Sequence, residues 1–315
     1  MNQISFQYKE IQKEMWDYTS SMAHGSNARK VEKNRYNLLK TIKASIASIN
    51  GMEPFNGDPS YRDSVAAYLQ LNFDVLNNDF GNIVDLEEVA EQSYDQMEAY
   101  LLAKKLANEK LEESTHKIGA QYKAFASAYG VNVIEDNDPI SKKLQISAEV
   151  TDYYNPVYLT FFKAYKQEIY LLDALARNDI NGLEQSRNAL MAYANEGIVS
   201  LSKIKHFKGD NSVNAACKQA LEFYKDEAEN KVQVLSDFII LKNEYEEMAK
   251  LFESKDRMLI SDQEAQRYNK AVAEFNSSVN KYNATNNKLN KDRNQCVENW
   301  NRSVASFLER HIPKK

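Results

Sequence analysis

The chain has 315 residues, of which 43% are hydrophobic and 27% charged, so it can bury a sizeable core and is not disordered throughout. Its net charge is −5 with both signs mixed along the chain, which excludes the concentrated basic surface of a nucleic-acid-binding protein. Only 9 glycines and 5 prolines are present, which argues against a many-stranded sheet and predicts long helices.

Residues 1–130 predict a first bundle of long amphipathic helices. Helix-breaking residues at 23–28 make the chain either reverse or kink there, giving four or three helices respectively. The sequence FNGDPS at 55–60 predicts a turn between two helices, in which Gly57 supplies a permissive backbone and Asp58 caps the following helix. A further helix is expected to begin at a capping box of Ser93 and Gln96.

The densest basic stretch of the chain lies at 28–40. Its five cations are Arg29, Lys30, Lys33, Arg35 and Lys40. One interpretation is an interaction patch for anionic lipid or an acidic partner. The other, which the spacing favours, is a solvated helix face, because Lys30 and Lys33 share one side of the helix while apolar residues take the other.

A linker is predicted at 131–155, with the boundary between two bundles near 131–138. A helix starting at about residue 139 is expected to run on past Pro156, which would kink it. The second bundle, 156–315, is predicted to consist of helical segments at 156–206, 211–258 and 262–310, the last beginning at a capping box of Ser261 and Glu264. A second break at 176–182 leaves the same choice between reversal and kink.

The two bundles are predicted to be copies of one structural unit. Shifting the chain by 152 residues places FKGDNS at 207–212 on FNGDPS at 55–60, and apolar positions coincide without gaps for more than 60 residues. The fold class is therefore all-α, with two tandem repeats of long antiparallel helices in three- or four-helix bundles, elongated overall.

Apolar residues at helical spacing predict which faces of the second bundle point inward. They are Tyr158, Phe162, Tyr165, Ile169 and Leu172 before the break, and Leu183, Leu190, Ala194, Ile198 and Leu201 after it. The Asn-rich stretch at 275–295 has poor helix propensity and predicts either a frayed part of the last helix or a polar binding face.

No motif predicts catalysis. A di-metal carboxylate bundle needs two Glu-x-x-His pairs, and only Glu113 and His116 make one, while GxSxG, HExxH and nucleotide-binding glycine patterns are absent. The chain is therefore predicted not to be an enzyme and to have no catalytic residue, cofactor or metal. Cys217 and Cys296 fall about 10 Å apart in the predicted helix register, which favours two free buried thiols over a disulfide.

Three stretches, SMAHGSNARKVEKNRYNLLKTI, MEPFNGDPSYRDSVAAYL and VDLEE, resemble a family of uncharacterised bacterial helical surface proteins, often lipoproteins, of about this size. The resemblance covers roughly the first third of the chain and brings no activity and no functional residues. It implies export, with an anchoring lipid on a cysteine ahead of this sequence, although neither a signal peptide nor a lipobox is present.

The function expected from these observations is that of a non-enzymatic, extracytoplasmic helical binding or scaffold protein of the bacterial cell envelope, with an unknown protein or envelope partner. The alternative is a membrane-active helical protein of the pore-forming-toxin type. No transmembrane segment and no nucleic-acid partner are expected, since no window approaches 18 consecutive apolar residues. The expected location is the cell surface or periplasm with a signal segment removed, and the cytoplasm otherwise.

Overall fold

The computed structural model describes residues 2–24, 28–133, 138–256 and 260–314, and these residues form helices and short connections without a β-strand. The predicted all-α class is confirmed. The elements are α1 (Asn2–Ala23), α2 (Ala28–Asn50), α3 (Ser60–Asp74), a π-helical turn (Val75–Asp79), α4 (Phe80–Ala90), α5 (Tyr94–Ala128), α6 (Pro139–Ala176), α7 (Ile180–Leu201), α8 (Ser212–Asp226), a second π-helical turn (Glu227–Lys231), α9 (Val232–Glu253) and α10 (Asp262–His311).

The chain divides into two compact units, one made of residues 1–155 with 306–315 and the other of residues 156–305. Helix α6 begins at Pro139 and contains Pro156, as expected of a helix that runs on past this proline. The first half of α6 belongs to the first unit, where Gln12 donates a hydrogen bond to Ser141 at 2.6 Å. The chain thus passes from the first unit to the second at 155–156, where the predicted second bundle begins, and back to the first unit at 305–306.

Both predicted breaks reverse the chain. In the first unit, Ser45 bonds Gln7 and Asn34 bonds the carbonyl of Asp17, so α2 runs antiparallel to α1. In the second unit, Lys163 meets Glu196 and Gln167 bonds the carbonyl of Ser186, so α7 runs antiparallel to α6. Among the described residues, α3 and α4, like α8 and α9, continue each other through a π-helical turn. The second unit therefore has four helical segments, and the first has α1, α2, α3–α4 and α5 together with the first half of α6 and the end of α10.

The repeated sequence FxGDxS folds into the same tight turn in both units. Phe55 and Asp58 exchange two backbone hydrogen bonds, at 3.1 and 2.9 Å, and so do Phe207 and Asp210, at 3.1 and 2.8 Å. The two central residues of each turn have positive φ, 50° and 83° in the first and 49° and 88° in the second. This is the backbone of a type I′ turn, for which glycine at the second central position is strongly preferred.

The aspartate of each turn accepts the first N–H of the next helix, as expected for Asp58. Oδ1 of Asp58 accepts the N–H of Ser60 at 2.8 Å, and Oδ1 of Asp210 accepts the N–H of Ser212 at 2.7 Å. These N–H groups have no partner within their own helix, so the carboxylates satisfy them.

The predicted capping box at Ser261 is present, since its hydroxyl accepts the N–H of Glu264 and the Glu264 carboxylate accepts the N–H of Ser261. At Ser93 the hydroxyl accepts the N–H of Gln96 and donates to the side-chain oxygen of that residue.

The two π-helical turns occupy equivalent positions at the offset of 152, Val75–Asp79 and Glu227–Lys231. An arginine from a neighbouring helix earlier in the chain binds each of them. Arg35 of α2 donates to the carbonyl of Leu76 at 3.0 Å, and Arg187 of α7 donates to the carbonyl of Ala228 at 2.9 Å. A π-helical turn interrupts the regular ladder of backbone bonds, so a side-chain donor at this point satisfies a carbonyl that lacks its usual partner.

The core of each unit is built from fully buried leucines and isoleucines at helical spacing. In the first unit these include Leu38, Ile42, Ile49, Leu69 and Leu76, and in the second Leu171, Leu183, Leu190, Leu221 and Leu235. Removing any one of them to alanine is expected to cost about 2–5 kcal/mol, since the cavity left behind collapses only in part. The predicted stripe of α7 is buried at Leu183, Leu190, Ala194 and Leu201, with Gly197 in place of Ile198.

The stripe of α6 differs from the prediction. The residues that face the core lie one position earlier than expected, at Val157, Phe161, Ala164, Glu168 and Leu171. Of the predicted set only Phe162 is buried, and the others are half-buried. The apolar arc of α6 is wide, and Glu168 interrupts the stripe that faces the core. A search for apolar periodicity therefore selects the neighbouring positions instead.

Candidate functional sites

The structure separates Arg35 from the other four cations of the predicted basic patch. Arg29, Lys30, Lys33 and Lys40 are exposed on α2. The side chain of Arg35 is only 14% exposed and holds both Glu32 and the first π-helical turn. Its hydrogen bonds lower the pKa of Glu32. Arg35 therefore has a structural partner, and the patch that remains for interaction consists of the four exposed cations.

The Glu113 and His116 pair lies on the surface of α5, with side chains 67% and 79% exposed. Glu113 pairs with Lys117 at 2.7 Å, and this bond lowers its pKa. Within the described ranges, no group of three or more His, Cys, Asp or Glu side chains is placed so that it could hold a metal ion.

A buried charged cluster joins three segments of the second unit. Glu168 of α6, Glu227 at the start of the second π-helical turn and Arg293 of α10 are 3%, 0% and 6% exposed. Arg293 donates through Nε to Oε1 of Glu227 at 2.9 Å and makes a second, shorter bond to the same oxygen. Its Nε also lies 3.2 Å from Oε1 of Glu168. One guanidinium thus faces two carboxylates.

The charge of this cluster is not balanced if both carboxylates are ionised. Burial, and next the negative charge of Glu227, raise the pKa of Glu168 to about 8, although Arg293 acts in the opposite direction. The folded core therefore favours the protonated form of Glu168, while Arg293 lies within bonding distance of both carboxylates. The hydroxyl of Tyr224 also faces the cluster, and burial raises its pKa well above the usual value. The chemistry available here is the uptake and release of a proton within a packed core.

The two thiols lie in the same unit and are free. Cys217 is fully buried, and its Sγ lies 3.6 Å from the carbonyl of Val157, whereas Cys296 is half-buried. Burial raises the pKa of both thiols, that of Cys296 to about 12. Both stay protonated at neutral pH and are poor nucleophiles.

Sequence reasoning missed the charged cluster, although the repeat carries a signal for it. At the offset of 152, Glu227 coincides with Val75 and Tyr224 with Asn72, and both of these first-unit residues are buried. Within the predicted repeat, a glutamate in the second unit at the position where the first unit buries a valine marks a difference in core chemistry.

An aromatic ladder joins α9 and α10. Phe238, Tyr245 and Phe252 recur every seven residues on α9, and Tyr268, Phe275 and Tyr282 do so on α10. Ring centroids are 4.2 Å apart for Phe238 and Tyr282, 4.5 Å for Tyr245 and Phe275, and 4.2 Å for Phe252 and Tyr268, all stacked. A seven-residue repeat on two antiparallel helices is the pattern of a coiled coil.

Beyond the base of this ladder the two helices contribute nothing to a bundle core. No described residue from 240 to 256 or from 260 to 288 is buried, and we call these two stretches the arm. Helix α10 passes without interruption through the Asn-rich stretch 275–295. The arm also exposes apolar side chains, with Ile240 40%, Met248 38% and Leu251 68% accessible.

The exposed apolar residues of the arm lie on one face of α9. At 100° per residue, Ile240, Met248 and Leu251 fall within about a quarter of the helix circumference. Glu244 and Glu247, both exposed, share that face. Ile240 and Leu251 point well away from the ladder residues, so the stripe is a second surface of the coiled coil rather than an extension of its seam.

Among the described residues, no helix is both long and apolar enough to cross a membrane. No family model, curated protein or solved structure matches the chain.

Proposed function

We propose that the protein is a non-enzymatic helical binding or scaffold protein that docks a partner protein on the arm. The observation that carries the proposal is the arm itself, a two-helix coiled coil that buries no residue in the core yet exposes Leu251 at 68%. Apolar side chains exposed on one face of a surface helix favour a protein-binding role, because burying them in a partner removes them from water.

The partner that fits this stripe is an amphipathic helix. Ile240, Met248 and Leu251 are spaced for a helix packed alongside α9, which would extend the two-stranded coiled coil by a third strand. Glu244 and Glu247 border the apolar residues, so the matching helix would carry Lys or Arg beside its own apolar stripe.

The setting we propose is the bacterial cell envelope, with the protein exported and held by a lipid anchor. The support for this is the resemblance of the first third of the chain to helical surface proteins. The intact mass and N-terminus of the native protein test it: an acylated cysteine ahead of Met1 is expected, and an unmodified Met1 in the cytoplasmic fraction would exclude an anchored surface protein.

Photo-cross-linking tests the arm. A benzoylphenylalanine in place of Glu247 is expected to give one discrete cross-linked product in cells of the natural source, mapped to an amphipathic, basic helix of the partner. The same probe at Lys123, exposed on α5 of the first unit, serves as the control and should give none.

Adding Ile240→Ser to the Glu247 probe should abolish the cross-link, because it removes one residue of the apolar stripe without touching the ladder. An unchanged cross-link, or none from the original probe, would contradict docking on this face. Release of dye from anionic liposomes by the purified protein would instead favour the membrane-active alternative.

A further inference from the structure

The turn at 52–58 of the first unit borders a cleft of about 210 Å³. The equivalent turn of the second unit differs in the exposure of its phenylalanine and in its charge. Phe55, Tyr61 and Phe125 form the aromatic wall of the cleft, with ring centroids of Phe55 and Phe125 at 5.3 Å and of Tyr61 and Phe125 at 4.8 Å. Phe55 remains 43% exposed, whereas the equivalent Phe207 is 9% exposed.

The two turns carry opposite charges at the position of Glu53, and both keep the aspartate. Glu53 and Asp58 line the cleft of the first unit, where the second unit has Lys205 in place of Glu53. Asp58 is held ionised, because hydrogen bonds from Ser60 and from the hydroxyl of Tyr129 lower its pKa. Among the described residues of the lining, the one cation is Arg62, which is already bound to Asp63 at 2.8 Å and to the carbonyl of Met52 at 2.9 Å.

The second unit supplies its own cation to this position. The ammonium group of Lys208 lies 5.1 Å from the centroid of the Phe207 ring, within the range of a cation–π contact. The residue equivalent to Lys208 is Asn56, which has no charge. The first unit therefore keeps the aromatic ring of the turn, adds one carboxylate, Glu53, and has no cation at the position of Lys208, while its lining cation Arg62 is already bound.

We propose that this cleft is a binding site for an organic cation with an apolar stem, an alkylguanidinium or alkylammonium group the size of one amino-acid side chain. The volume is below the roughly 300 Å³ at which pockets for drug-sized ligands begin, so one such group fills it. The stem packs on Phe55 and Phe125, and the charged end meets Glu53 and the ring of Phe55. The site is independent of the arm.

The probe for the test is n-butylguanidinium chloride, titrated at constant ionic strength into protein carrying ¹³C-methyl methionine. A saturable shift of the Met52 methyl signal is expected, since Met52 lines the cleft. The neutral n-butanol and the anionic butyrate are matched probes and should shift this signal at least about fivefold less at the same concentration.

Two variants locate the charge. Glu53→Gln is expected to weaken binding about fivefold or more, because it removes an exposed carboxylate from the lining and leaves the packing unchanged. Glu91→Gln, an exposed carboxylate of the first unit outside the cleft, should leave binding unchanged. Absence of a saturable shift with the cation, or an equal response to Glu53→Gln and Glu91→Gln, would overturn the proposal.

A capped tripeptide, Ala-Arg-Ala, distinguishes the two sources of the ligand. Binding of this peptide as tight as that of n-butylguanidinium would assign the site to an arginine of a partner protein. Binding of the free cation alone would assign it to a small amine or guanidine. Failure of both leaves docking on the arm untouched, because the arm lies in the other unit.

Discussion

At the scale of single residues, the most informative group is Glu168, which sits in the core stripe of α6 where every neighbour in the stripe is apolar. Its ionised form would lie beside the charge of Glu227 with one guanidinium between them. Burying an ion pair is costly, and burying an additional unpaired charge is costlier still, so the neutral form is the one that the folded core accepts.

This protonation makes the stability of the second unit depend on pH. The pKa of Glu168 is about 8 in the folded protein and near its ordinary 4.5 when unfolded, so the folded state binds the additional proton between these values. The contribution is fully present below about pH 4.5 and is lost as pH rises to about 8, by at most about 1.4 kcal/mol per pH unit.

Urea unfolding of the wild type and of Glu168→Gln across this range measures the effect. The free energy of unfolding of the wild type is expected to fall relative to that of Glu168→Gln as pH rises, because glutamine stays neutral. Glu113→Gln, which removes an exposed carboxylate, is the control and should not reproduce the trend. A constant difference between wild type and Glu168→Gln would contradict a bound proton on this residue.

At the scale of secondary-structure elements, the arginines at the two π-helical turns are expected to be stabilising. Arg35→Met and Arg187→Met each leave a backbone carbonyl without its side-chain donor, at a cost of about 1–3 kcal/mol. Hydrogen exchange should accelerate at 72–80 and 224–232 respectively. Arg29→Met is the matched exposed substitution, and a loss of stability equal to that of Arg35→Met would argue against the carbonyl bond as the cause.

The aromatic ladder is expected to hold the arm together without help from the core. Tyr245→Ala removes the central ring, which contacts both Phe275 and Tyr268, and should destabilise the arm by about 2 kcal/mol. Faster hydrogen exchange confined to the arm is the expected result, with the first unit unchanged. Ile240→Ala, which points away from the ladder, should alter exchange little, and equal effects of the two substitutions would show that the ladder is not what holds the helices.

At the scale of the whole molecule, the two units share the same backbone features at equivalent positions and differ in the side chains around them. The turn, the capping aspartate, the arginine and the π-helical turn recur at a constant offset. The first unit opens its turn to solvent at Phe55, and the second closes it at Phe207 and carries the charged cluster and the arm. Function is therefore expected to differ between the units, although their helices correspond.

Many of the backbone features could be predicted from the sequence because they depend on local chemistry. The all-α class follows from helical periodicity and few glycines, and the repeated turn follows from a glycine at a position of positive φ beside a capping aspartate. Serine followed three residues later by glutamine or glutamate marked the starts of α5 and α10, since those bonds form within one helical turn.

The remaining features depend on which helices pack together, and only the tertiary structure decided them. The apolar stripe runs through both breaks, so a reversal and a kink look alike until Gln7 is seen beside Ser45. Arg35 is one of five similar cations until Leu76 of another element supplies its acceptor. Glu168 interrupts an apolar stripe, and its place in a charged cluster becomes visible only when Glu227 and Arg293, 59 and 125 positions away in the chain, are brought beside it.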